Sequence, residues 1–106
     1  MPELFQIPVE ATEPSFKKRI DLGARAYVFH FYFNERMSRW VMSVYDADEQ
    51  PIVVGIVMVI DSSLTGRYSD PRLPEGEIIL YDSSETHQEC GYEDLGNRCL
   101  LIYEAP

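Results

Sequence analysis

Positive charge is what this chain has least of. Nine lysines and arginines face eighteen aspartates and glutamates in 106 residues, a formal net charge of −9. A phosphate backbone is bound through Lys and Arg, so this balance argues against nucleic acid as a partner. It argues equally against an anionic membrane surface. Long apolar runs are missing too: nothing approaches the roughly 20 residues of a membrane span. The stretch "MPELFQIPVE" lacks the basic start and apolar core of a secretory leader. Cysteines number two, Cys90 and Cys99. The expectation is a soluble protein of a reducing compartment with free thiols, although a Cys90–Cys99 bridge across a hairpin-like loop is sterically conceivable.

Groups for catalysis are equally sparse. His30 and His87 are the only histidines, and His30 alternates with aromatics in a strand-like run. His87, Glu89, Cys90 and Cys99 make a metal set only on paper, because H-x2-C-x8-C matches no common zinc spacing. Glu89, Glu93 and Asp94 around Cys90 oppose a low-pKa thiolate. The carboxylates cluster in turns such as "DADEQ", where acids serve backbone hydrogen bonds and solvation. That turn also lacks the glycine and distal glutamate of a calcium loop. There is no glycine-rich phosphate cradle. No catalytic, metal or cofactor site is therefore expected.

What the chain does have is period-two patterning. "ARAYVFHFYFN" (residues 24–34) puts Arg25, Tyr27, Phe29, Phe31 and Phe33 on one face and Ala26, Val28, His30 and Tyr32 on the other. "RWVMSVYD" (39–46) aligns Trp40, Met42 and Val44. The two runs, joined by "NERMS", read as a hairpin. "IVVGIVMVI" (52–60) follows as an apolar strand, with Gly55 marking a bulge or bend. "EIILYD" (77–82), "RCLLIYE" (98–104) and "SFKKRIDL" (15–22) read as further strands, and "ELFQIPV" as a weaker one. "DLG" at 21–23 reads as a turn, and only "YEDLGNR" has any helical character. The fold class is all-β: a single small antiparallel barrel or sandwich of about six or seven strands.

Charge is unevenly placed along this pattern. Residues 1–45 carry six basic side chains against five acids, a net of +1. Residues 46–106 carry Arg67, Arg72 and Arg98 against thirteen acids, a net of −10. Two of those three arginines lie in "SLTGRYSDPRLPEGEI" (63–78), punctuated by Gly66, Pro71, Pro74 and Gly76.

The order of motifs resembles the plug proteins of contractile phage-tail baseplates, a family first described from a cyanophage. The carrying residues are Trp40, "YD" at Tyr45–Asp46, Pro51–Ile52 and Gly55–Ile56. Then come "LTGRY" (Leu64, Arg67, Tyr68), "LPEGEI" (Leu73, Pro74, Gly76), "DLGNR" (Asp94, Leu95, Gly96, Arg98) and Leu101 with Tyr103. The resemblance covers about residues 24–104. It implies a non-enzymatic structural subunit of a phage, or phage-derived, tail baseplate, near the junction of tail tube and hub. Baseplate hub and tail tube-like proteins are the implied partners, in a multi-copy symmetric assembly within the virion. Residues 1–12 exceed a compact member and are expected to form an N-terminal arm ahead of a domain spanning 13–106. Arginine and tyrosine are frequent interface anchors. Leu64, Arg67, Tyr68, Arg72 and Leu73 are the expected partner-interface residues, with bracing of their own domain as the internal alternative. A β-barrel module binding a peptide or oligosaccharide in an aromatic groove of Tyr27, Tyr32 and Tyr45 is the competing expectation.

Overall fold

The computed structural model describes residues 4–9, 13–22, 25–66, 68, 70–86 and 88–105. Seven strands are found among them: β1 (Leu4–Ile7), β2 (Ser15–Leu22), β3 (Arg25–Asn34), β4 (Arg39–Asp46), β5 (Pro51–Val57), β6 (Glu77–Asp82) and β7 (Cys99–Glu104). One sheet has the order β2-β3-β4-β5 and the other β1-β7-β6, with all pairings antiparallel. The architecture is a sandwich rather than a closed barrel, which resolves the alternative left open by the pattern. Of the "DLG" turn, Asp21 and Leu22 end β2, and Gly23 lies outside the described residues. "ELFQIPV" does contribute a strand: Leu4–Ile7 of the expected arm pair with β7 from Leu4↔Glu104 to Ile7↔Leu101.

The alternating side chains decide which face turns inward. Tyr27, Phe29 and Phe31 of β3 meet Trp40, Met42 and Val44 of β4 in one buried cluster. The opposite sheet supplies Ile78 and Leu80 from β6 and Leu101 and Tyr103 from β7 to the same core. Aromatic contacts link the layers of this cluster. Phe16 and Phe33 each approach Trp40 edge-on, and Tyr92 stacks on its ring at 5.5 Å. Pairs of this kind add about 0.5–1.5 kcal/mol beyond the area they bury.

β5 ends earlier than the apolar run suggests. Between Met42↔Ile56 and Val44↔Val53 the register shifts, so Val54 and Gly55 together oppose Ser43. Gly55 has φ +84° and its N–H donates to Ser43 Oγ at 3.1 Å. A bulge of this kind, with the second shift beside Tyr45, bends a strand and raises its twist. The apolar residues after Val57 then serve the other sheet. Met58 N–H still reaches Trp40 O, but Asp61 and Leu64 donate to the β6 carbonyls of Leu80 and Ile78. The run "IVVGIVMVI" is thus a strand followed by the corner that joins the two sheets.

Candidate partner interface

The corner leads into the loop that carries the expected interface residues. Leu64 is fully buried (0% exposed) and Leu73 nearly so (8%), both in the core cluster. They hold the loop from within and do not present themselves to a partner in this fold. Tyr68 is half-buried and packs against the same core. Arg67 lies outside the described residues. Arg72 is the exposed member of the set, its side chain 51% accessible.

Local chemistry fixes this loop. Gly66 donates its N–H to Ser63 Oγ at 2.9 Å, and a Cβ on Gly66 would sit 2.6 Å from that oxygen. Only glycine fits there without a shift. Asp70 Oδ1 accepts the Arg72 backbone N–H at 2.9 Å, closing an Asx-type turn. The Arg72 guanidinium returns to both Asp70 oxygens, at 3.1 and 2.7 Å. Arg72's side chain, and then its backbone N–H, hold the Asp70 carboxyl down to about 2.

Three side chains of the sandwich tie down the loop carbonyls. Tyr27 O–H donates to Arg72 O at 2.8 Å, and Arg25 Nη1 to Pro71 O at 3.0 Å. The Tyr103 hydroxyl donates to Glu75 O, and burial pushes its pKa up. Tyr27 is therefore a core residue and a brace, which corrects the expected aromatic groove. Tyr32 and Tyr45 belong to the opposite face of the sheet, where Tyr45 rests edge-on against His30 with ring centres 4.2 Å apart. His30 Nε2 is buried there without a hydrogen-bond partner among the described residues.

At the other end of β6 a second polar centre organises the β6–β7 connection. Asp82 is buried and accepts from Ser84 N–H and Oγ–H, Thr86 Oγ1–H and Gln88 N–H at 2.6–3.3 Å. Arg98 pairs with Asp82 at 2.9 Å and with Asp94 at 3.0 Å, while donating to the carbonyls of Gln88 and Glu89. The Ser84 hydroxyl is the largest influence holding the Asp82 carboxyl well below the usual carboxylate range. Arg98 does the same for Asp94, whose carboxylate also caps the short turn Tyr92–Asp94 through Gly91 N–H. "DLGNR" is thus a framework motif. The Trp40 indole N–H locks this loop to the sheet, donating to Gly91 O and Tyr92 O at 3.2 and 3.3 Å.

The same loop corrects the reading of free thiols. Cys90 and Cys99 form a disulfide with a Cα–Cα distance of 6.3 Å. Both side chains point into the core, one from the loop and one from the first position of β7, so the fold brings the two sulfurs together. The paper metal set loses both thiolates to that bond, Glu89 accepts from Ile60 N–H, and His87 lies outside the described residues. Sequence spacing alone does not distinguish such a pair from two reduced thiols.

The turn acids are engaged in the same way. Asp46 Oδ1 accepts the backbone N–H groups of Asp48 and Gln50 at 2.9 Å, closing the β4–β5 hairpin. No helix among the described residues is long and apolar enough to cross a membrane. The molecule is an all-β sandwich whose loops are held by internal ties and whose acidic side chains build turns. The family model described as cyanophage baseplate Pam3 plug gp18 matches residues 4–106, and the chain belongs to that family. Comparison with curated proteins finds no match.

Proposed function

We propose that this protein is a non-enzymatic structural component of a contractile tail baseplate, acting as a plug near the junction of tail tube and hub. The observation that carries this reading is the extent of the family match, which runs through all seven strands and both braced loops. Acids that could serve catalysis are used in scaffolding instead: Asp46, Asp70, Asp82 and Asp94 all accept backbone N–H groups. A rigid sandwich holding loops at fixed positions suits a part that must mate with neighbours.

The partners are hub and tube-like proteins, in several copies related by symmetry. Within the 63–78 loop, Arg72 is the side chain best suited to reach them, with Tyr68 and Arg67 beside it in sequence and Leu64 and Leu73 as inward anchors. Co-expression with the tube and hub proteins encoded alongside, followed by size-exclusion chromatography, tests this. A stable complex is expected, and Arg72→Glu should weaken it while the isolated domain melts as before. If the chain never co-elutes with tail proteins, the assignment fails.

A further inference from the structure

Among the described residues β1 and β2 each stand at the edge of their own sheet. From β2 through β5 every neighbour is hydrogen-bonded, and the corner continues to β6 through Ile60↔Leu80 and Ser63↔Ile79. β6 pairs with β7 and β7 with β1. No ladder joins β1 to β2 among the described residues. Along that seam lies a groove of about 560 Å³, lined by Gln6, Pro8, Val9, Phe16, Lys17 and Lys18 among others.

Both walls of the groove come from sheet-edge segments. Each edge strand leaves every second residue's N–H and C=O groups directed away from its one partner. The floor is apolar, with Val9 buried and Phe16 half-buried against the core. The rim is cationic. Lys17, Lys18 and Arg19 stand consecutively on β2, all exposed, in a chain of net charge −9. Lys17 is engaged by Glu49 at 3.0 Å, while Lys18 and Arg19 have no carboxylate partner among the described residues.

We infer that the seam between β1 and β2 is a docking groove for an extended, acidic polypeptide segment of a partner, bound by strand addition. Strand addition supplies alternating backbone donors and acceptors to the open edges, which the acceptor-only phosphate backbone of a polynucleotide does not. Alternation in the incoming strand places apolar residues over Val9 and Phe16 and carboxylates on the opposite face, beside Lys17 and Arg19. Lys18 shares the inward-facing set of β2 with Phe16 and Ile20. A charge at such a position disfavours indiscriminate edge pairing. Selection for acidic segments comes from Lys17 and Arg19 on the outer face, with the exposed Lys18 adding to the positive potential of the rim.

The inference stands apart from the baseplate assignment, so its test uses no tail protein. A fluorescein-labelled octapeptide of alternating valine and glutamate is titrated with the full chain and followed by anisotropy. The matching valine–lysine peptide and a labelled oligo-dT of the same length serve as comparators. Saturable binding of the acidic peptide is expected, with the lysine peptide inert and 0.5 M salt weakening the interaction at least about tenfold. Lys18→Glu with Arg19→Glu should weaken it by a similar factor. Hydrogen exchange should slow at β1 and β2 amides on binding and stay unchanged at β5, a readout that serves even if the double variant folds poorly. No saturable binding, equal binding of both peptides, preferential binding of oligo-dT, or protection confined to strands other than β1 and β2 would each overturn the inference.

Discussion

Trp40 ties three parts of the fold together. It is 1% exposed, touches aromatic rings from β2, β3 and the β6–β7 connection, and donates to two loop carbonyls. Trp40→Ala removes the ring and leaves a cavity, and should cost about 3–5 kcal/mol in urea unfolding. A near-neutral result would mean that the ring is not core. Asp82 works differently, as a buried acceptor for four donors of its own loop and the partner of Arg98. Its pKa and that of Asp94 are depressed in the folded state, by Ser84 and Arg98 respectively. The stability they contribute is therefore fully present above the ordinary carboxylate pKa of about 4 and is lost as pH falls through the lowered folded values. Asp82→Asn should destabilise most at neutral pH, and the gap to wild type should narrow below about pH 4. Urea midpoints measured across that range check the sign, and a constant gap would speak against it.

The β6–β7 connection is the element that depends most on cross-links. Its disulfide spans nine positions of sequence. By the loop-closure argument, a loop of that length stabilises by about 2–3 kcal/mol. Cys90→Ser with Cys99→Ser, or reduction, should lower stability by that amount, and an unchanged denaturation midpoint would contradict the cross-link. How much of each element was legible in sequence follows the kind of interaction that shapes it. β3 and β4 follow their period-two pattern, since one face of each must be buried, and the Gly55 bulge follows from a glycine inside a strand. The end of β5 was not legible. Met58 and Ile60 are as apolar as the strand before them, yet Ile60 already bridges to Leu80 of the other sheet. The disulfide and the inward turn of Leu64 and Leu73 could be named from the sequence only as alternatives, because each depends on how remote segments pack. Arg72 is the exposed one of the expected interface residues that are described, and its tie to Asp70 was not read from the sequence.

At the scale of the whole molecule, a sandwich of two sheets carries two braced loops and, among the described residues, a groove between β1 and β2. Net charge is concentrated in the later half of the sequence, with lysine and arginine gathered on β2 and the start of β3. Such asymmetry orients a part among charged neighbours more than it adds affinity. Charge reversal at Arg72, exposed and paired with Asp70, should change the melting temperature only slightly, because exposed ion pairs add little stability. A large drop on Arg72→Glu would recast the residue as a structural brace. The place proposed for the protein is a plug of the baseplate at the junction of tail tube and hub. Cryo-electron microscopy of intact particles, with averaging about the tail axis, tests it most directly. The expected result is density fitting this seven-stranded sandwich in contact with both tube-like and hub subunits, lost in particles made without the gene. Density for the sandwich elsewhere on the particle, or particles unchanged by the deletion, would contradict it.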